Sequence, residues 1–238
     1  MKLSKRIFAL ADKVNRSESV ADIGTDHGYV PMLLMRSGKC PKAIMSDISE
    51  GSLSKARETF ELTGLTCEAD WFRTGDGLET IEKGEADVVI IAGLGGHTIA
   101  GILASDIEKS RSFKRLILQP RKHSGTLRYF LYTNGWDIES EGLAEEGKFA
   151  CEIITAVPTG IMSRNAPYPE DDIRWKYPEE IITADPLLAR KRIDWKISSI
   201  VEQMENLKKS GKEHDALLQQ LCNDLEYLLL LNSECTGI

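Results

Sequence analysis

The chain has 238 residues, 42% hydrophobic and 28% charged, with a formal net charge of -7. That length suits one domain, or one domain with an appendage, and the apolar fraction supports a sizeable core. The acidic balance argues against broad nonspecific affinity for nucleic acid. The five scattered cysteines form no CxxC pair and so point away from a disulfide framework or a zinc site.

In chain order, Leu3, Ile7, Leu10 and Val14 fall at helical spacing, predicting a helix over about 3–16. Charges at Asp12, Lys13 and Arg16 interrupt any signal-like apolar stretch, and no apolar run approaches the roughly 18 residues of a membrane span. A cytoplasmic protein with no membrane association and no metal is the expectation. A buried strand is predicted at 20–24, then a helix with Pro31 in its first turn, ending near Ser37-Gly38. A second strand covers 43–47, and a helix starting at Ser49 or Ser52 runs through Phe60 to Gly64. A weak third strand is placed at 66–71, and the clearest strand of all at 86–92. A helix over 97–110, a strand over 115–119 and a helix over 125–133 follow. Strands at 136–143 and 149–157, joined near Glu146-Gly147, read as an antiparallel hairpin.

Composition changes after Pro158, and Asn165-Ala166-Pro167-Tyr168-Pro169 with the acids at 170–172 reads as a boundary. Asp185-Pro186 then opens a long helix, with the acid as N-cap and proline at the first position. Ile193, Ile197, Ile200, Met204 and Leu207 form its stripe, and Gly211 its stop. Leu217, Leu218, Leu221, Leu225 and Leu228 form a second stripe, which predicts an antiparallel, coiled-coil-like helical hairpin. The expected fold class is α/β: a Rossmann-like, mostly parallel sheet with an antiparallel last strand, plus that hairpin. The expected division is a catalytic domain over 1–160 and a helical domain over 161–238.

The chemistry gathers at strand ends. Gly24-Thr25-Asp26-His27-Gly28 reads G-x-D-x-G, not the G-x-G-x-x-G that cradles a pyrophosphate. An acid in that loop suits a ligand with an ammonium group and no phosphate. S-adenosylmethionine has that feature and a ribose. Asp26, or its backbone neighbours Gly24 and Gly28, would face the methionine amine, and Asp47, followed by Ile48, would accept from the ribose hydroxyls. Asp76, in Gly75-Asp76-Gly77, could accept from the adenine amine. Taken singly, Asp47 could equally cap a helix and Asp76 could equally serve a turn. The fourth strand ends in Ala92-Gly93-Leu94-Gly95-Gly96, which offers a reacting base only backbone groups and space.

Segments ADIGTDHGYVP at 21–31, GDGL at 75–78, IAGLGG at 91–96, LILQP at 116–120 and RYFLYTNGW at 128–136 carry a more specific resemblance. Together with Asp47 and the Asp185-Pro186 tail, they are similar to the TrmK family of class I S-adenosylmethionine-dependent methyltransferases. That resemblance implies methylation of adenine N1 at position 22 of tRNA by a monomer. It departs at Thr25, Leu94 and Arg121. For that reaction Asp26 would stabilise the cationic product ring, His27 would handle a proton or hold the turn, and Gly95 would flank the reacting centre. Tyr29, Trp71 and Phe72 are stacking candidates that could equally pack inward. Basic clusters at Lys2, Lys5, Arg6, Lys13 and Arg16, at Arg121, Lys122, His123 and Arg128, and at Arg190, Lys191, Arg192 and Lys196 are candidate phosphate contacts or solvated faces. A methyltransferase of a small molecule or protein, or a non-catalytic nucleoside-binding protein, shares the same pocket residues.

Overall fold

A computed structural model of the chain describes residues 3–147, 149–210 and 215–235. Seven strands, β1 (Val20–Ile23), β2 (Ala43–Asp47), β3 (Phe72–Thr74), β4 (Val88–Leu94), β5 (Arg115–Pro120), β6 (Trp136–Glu146) and β7 (Phe149–Pro158), form one sheet in the order β3-β2-β1-β4-β5-β7-β6. β1 pairs in parallel with both β2 and β4, so the chain reverses its winding direction there. In open α/β sheets that switch point is where ligands bind, beyond the carboxyl ends of the strands.

Alternate strand residues feed two helical layers. Ala21, Ile23, Val89, Ile91, Leu116 and Leu118 pack with Ile99 and Leu103 of α4 (Gly96–Ser105) and Leu127 and Leu131 of α6 (Ser124–Thr133). On the opposite face, Val20, Ala43, Val88, Ile90 and Ile117 meet Ile7, Leu10 and Ala11 of α1 (Lys5–Asp12), with Val30 and Leu34 of α2 (Tyr29–Arg36). A satellite cluster joins α2 to α3 (Glu50–Leu62) through Met32, Leu53 and Phe60.

Several sequence expectations change. The helix expected over 97–110 breaks into α4 and α5 (Ile107–Ser112), because Asp106 leaves helical geometry and its carboxylate accepts from the Lys109 N–H at 2.9 Å. The third strand lies at Phe72–Thr74 rather than 66–71, since residues Ala69–Trp71 wind into a 3-10 turn. The β6–β7 hairpin forms, with Glu146 opposite Phe149. The last strand, β7, is antiparallel to both neighbours but is not at the edge: it inserts between β5 and β6, and β6 ends the sheet.

The stretch read as a boundary folds into α7 (Ile173–Lys176) and α8 (Glu180–Ala184), which bury Ile173, Trp175, Ile181 and Ile182. The Asp185 carboxylate then accepts from the Leu188 N–H at 3.0 Å and starts α9 (Pro186–Ser210). Ile193, Ile200, Leu221, Leu228 and Leu231 zip α9 to α10 (Asp215–Glu234). Asn232, near the end of α10, donates to Asp194, near the start of α9, at 2.8 Å, which makes the pair antiparallel. The expected Gly211 stop lies outside the described residues.

Buried charges tie this tail to the sheet. Arg128 of α6 donates to Glu141 of β6 at 2.7 and 2.9 Å, to Glu152 of β7 at 2.8 Å and to the Trp175 carbonyl at 3.0 Å. The other Glu152 oxygen accepts from Arg192 of α9 at 2.8 Å. Burial alone would push the Glu152 carboxyl up, but Arg128 and Arg192 beside it hold it below the usual range.

Candidate active site

At the switch point, the carboxyl ends of β1 and β4 and the inner side of α1 enclose a cleft of about 310 Å³. Its floor is the loop after β1. Gly24 and Thr25 both donate their N–H to the Ser46 carbonyl, at 2.8 and 3.1 Å, which turns the chain sharply off the strand. Gly24 (φ 73°), Asp26 (φ 45°) and Gly28 (φ 64°) are all left-handed. A Cβ at Gly28 would stand 3.0 Å from Ala56 Cβ, so glycine there lets α2 start against α3.

Asp22 was read from sequence only as part of the strand. It is 5% exposed and lines the cleft, and Thr25 Oγ1 donates to it at 2.6 Å. Burial pushes its carboxyl up to about 6, against the lowering pull of the Thr25 hydroxyl and Arg6. A carboxylate inside an otherwise apolar four-residue strand is the signal that could have found it. Asp26 is turned outward instead: its side chain is 57% exposed, with Lys55 Nζ at 3.1 Å and His27 Nε2 at 3.8 Å. The His27 and Tyr29 rings stack, with centroids 5.0 Å apart.

Asp47 ends β2. Its two oxygens accept from the Ser49 N–H at 2.8 Å and the Asp26 N–H at 3.3 Å, which aims the carboxylate along the sheet edge. The N-cap of α3 is Ser49, whose hydroxyl accepts from the Ser52 N–H at 3.4 Å, so Asp47 holds the turn before the helix and does not cap it. Ile48 beside it is 75% exposed, a large apolar side chain left open next to an acid. Gly75 donates to the Asp47 carbonyl at 3.1 Å, and Asp76 is exposed at the start of the turn that holds Gly77 at φ 51°. Asp22 lies within β1, Asp47 ends β2 and Asp76 follows β3.

Across the cleft, Ala92 and Gly93 end β4 at a bulge, with Gly93 at φ 82°. Gln119, 1% exposed at the end of β5, accepts from the Gly93 N–H and from Arg6 Nη1, each at 3.2 Å. Arg6 also donates to Glu146 at 2.9 Å, so this residue of α1 is a wall of the cleft and not a surface cation. Gly95 precedes α4. A Cβ at Gly96 would sit 2.1 Å from the His123 carbonyl oxygen, so the start of α4 lies directly on the 122–123 turn. Exposed Arg121, Lys122, His97 and His123 form a basic rim, with the two histidine rings 4.4 Å apart.

Two sequence assignments of basic residues are corrected. Arg128 is 1% exposed and wholly engaged with Glu141 and Glu152, so it faces no external phosphate. Arg192 is held by Glu152 and lies 4.2 Å from the Tyr177 ring centroid. Arg190 and Lys191 are exposed, Arg190 with Asp194 at 3.8 Å. Trp71 and Phe72 are partly buried against the α2–α3 cluster, which is the inward-packing alternative. Among the described residues, no group of three or more His, Cys, Asp and Glu side chains is arranged to hold a metal. No helix among them is long and apolar enough to cross a membrane.

The donor set fits a cationic nucleoside. An ammonium and a ribose diol both need acceptors, which Asp22 in the cleft and Asp47 beside it offer. Comparison with known proteins agrees. Residues 3–154 match the family described as a methyltransferase domain. The tRNA (adenine(22)-N(1))-methyltransferase of Bacillus subtilis (strain 168) is 38% identical over 156 residues, 66% of this chain and 65% of that protein. The matched stretch therefore spans just under two thirds of that relative's length. The solved B. subtilis m1A22 tRNA methyltransferase TrmK superposes with a TM-score of 0.75 at 29% identity, covering 97% of this chain and 99% of that one. A putative tRNA (m1A22) methyltransferase from Streptococcus pneumoniae, solved with S-adenosyl-L-methionine, shares the fold with a TM-score of 0.79 at 24% identity, covering 97% and 100% of the two chains.

Proposed function

The chain belongs to the methyltransferase-domain family, and we propose that it transfers a methyl group from S-adenosylmethionine to N1 of an adenine in tRNA, at the position equivalent to 22. One observation carries the reading. Buried Asp22 lines one side of the cleft and Gly93 the other, while Asp47, at the end of neighbouring β2, accepts from the Asp26 N–H of the cleft loop. The B. subtilis relative's substrate supplies the choice of tRNA.

In this reading Asp22 receives the ammonium of the methionine moiety and Asp47 the two ribose hydroxyls. Ile48 covers one face of the cofactor adenine and Asp76 accepts from its amine. S-adenosylmethionine, when bound, supplies an electrophilic methyl group on its sulfonium. Adenine N1 carries an in-plane lone pair at neutral pH, so no side chain must create the nucleophile. Gly93 in the cleft and Gly95 beyond it present backbone, and the long side chains of Arg121 and Lys122 that lie over them would swing aside for a flat base. The developing positive charge on the ring is met by the acid-lined edge of the cleft. At the cleft mouth Asp26 would help stabilise the cationic product ring, with His27 beside it handling a proton. A base presenting its Watson–Crick edge must be unstacked first, and Tyr29 lines the route in. Arg121 and Lys122 at the rim, with Arg190 and Lys191 on α9, are the proposed contacts to the tRNA backbone. Residues 1–160 act as the catalytic part and 161–238 as the RNA-facing part of a cytoplasmic monomer.

The direct test incubates the protein with methyl-labelled S-adenosylmethionine and unmodified tRNA, then maps the product. Label at N1 of one adenine is the expected result; label appearing only on protein or small-molecule acceptors would reject the tRNA assignment. Asp47→Asn keeps an acceptor for the Ser49 N–H, gives up the longer 3.3 Å contact to the Asp26 N–H, and loses the charge. It is expected to weaken cofactor binding by calorimetry roughly tenfold, about 1.4 kcal/mol, with the melting temperature unchanged.

A further inference from the structure

A second cavity, a groove of about 810 Å³, opens between α1, α2 and α3 and begins at His27 and Tyr29. Those two side chains also line the cleft that holds Asp22 and Gly93. The two cavities therefore share one wall, a pair of rings parallel to within 5°. Beyond it the groove is apolar, with Leu33 on α2, Phe8 on α1 and Leu62 on α3. Phe8 is 47% and Leu62 79% exposed, although both are large and apolar. Such residues gathered around one groove mark a contact surface. Its edges carry the exposed cations Arg36 and Lys55 and the carboxylate Glu58, with Lys55 paired to Asp26 at 3.1 Å.

We propose that this groove receives the nucleoside next to the target adenine in the RNA strand. The inference rests on the RNA reading above and goes beyond it by adding a second base site. An adenine drawn out of its stack leaves its neighbour without a partner, and apolar or aromatic side chains are the usual replacement for lost base stacking. The neighbour is tethered by a single phosphodiester, so its site must adjoin the target cleft. A cavity that shares the His27–Tyr29 wall meets that requirement. Exposed Arg36 at the groove edge supplies a cation that complements a linking phosphate. The groove volume lies within the roughly 300–1,000 Å³ of sites that hold organic ligands.

The test pairs a double variant, Phe8→Ala with Leu62→Ala, with tRNA transcripts that lack the base immediately 5′ or 3′ of the target adenine. Both side chains are partly or largely exposed, and a thermal melt checks that the variant stays folded. The expected result is a roughly tenfold higher KM for tRNA in the variant, with kcat and cofactor affinity unchanged. One of the two abasic transcripts should cost the wild-type protein a similar factor and cost the variant nothing more. An unchanged KM in an active variant, two abasic transcripts used as well as intact tRNA, or penalties that multiply would each overturn the groove assignment alone. A wild-type protein that binds the cofactor but methylates no tRNA would overturn the RNA reading and this inference with it.

Discussion

Asp22→Asn is expected to weaken cofactor binding about thirtyfold or more while making the protein more stable. The free carboxyl is pushed up to about 6 by burial, whereas in the unfolded chain it titrates near its ordinary 3.8. Because the folded value is the higher one, folding favours the protonated acid. Its favourable contribution is complete below about pH 4 and is lost as pH rises through 6. At neutral pH the ionised side chain therefore costs the empty protein roughly 3 kcal/mol. Asparagine removes that cost and still accepts from the Thr25 hydroxyl. A rise of several degrees in melting temperature is expected for a chain of this size. Binding responds in the opposite sense, because an ammonium ligand needs the ionised form. Loss of a buried charged partner should weaken affinity by about 2–5 kcal/mol, thirtyfold or more. For the wild-type protein, calorimetric affinity should fall about tenfold per pH unit below 6 and be flat above it. A pH-independent affinity, or an asparagine variant that binds normally, would remove Asp22 from the site.

Arg128→Ala is expected to cost about 3–5 kcal/mol of stability, because it leaves Glu141 and Glu152 buried without their main cation. Urea denaturation should show the loss. The network is not simply a source of stability, since a well-packed apolar replacement of a whole buried ion cluster is often neutral or better. Replacing Arg128, Glu141 and Glu152 together by apolar residues of similar volume should therefore recover much of the lost stability. If Arg128→Ala alone unfolds no more readily than the wild type, the cluster is not the clamp its geometry suggests.

The sheet was legible because its strands are short apolar runs stopped by glycine, proline or an acid. Asp47 and the Gly93–Gly96 turn were legible for the same reason, being the stop signals themselves. The third strand was misplaced because Glu68-Ala69-Asp70-Trp71 has neither strong alternation nor a turn pair, and local hydrogen bonding wins there. Asp106 sits inside an otherwise helical pattern, and only its backbone angles reveal that it begins a new helix. Gln119 is not legible as a working residue, and Arg6 and Arg128 read as solvated cations or phosphate contacts, because their roles depend on partners 13 or more positions away (113 for Arg6 with Gln119, 13 for Arg128 with Glu141). Charge periodicity carries no record of such distant pairs. Asp22 differs: an acid inside a buried strand is visible in the sequence, and the structure adds that it lines the cleft.

The placing of β7 between β5 and β6 has a bearing on any attempt to isolate the catalytic half. It leaves β6 as the terminal strand, flanked by α8 and α9. A fragment cut at residue 160 would bare that strand's unpaired N–H and C=O groups along with the Glu152 carboxylate that Arg192 holds. Unprotected strand rims recruit one another. Such a fragment would come out of cells as precipitate or as joined copies, not as a smaller enzyme.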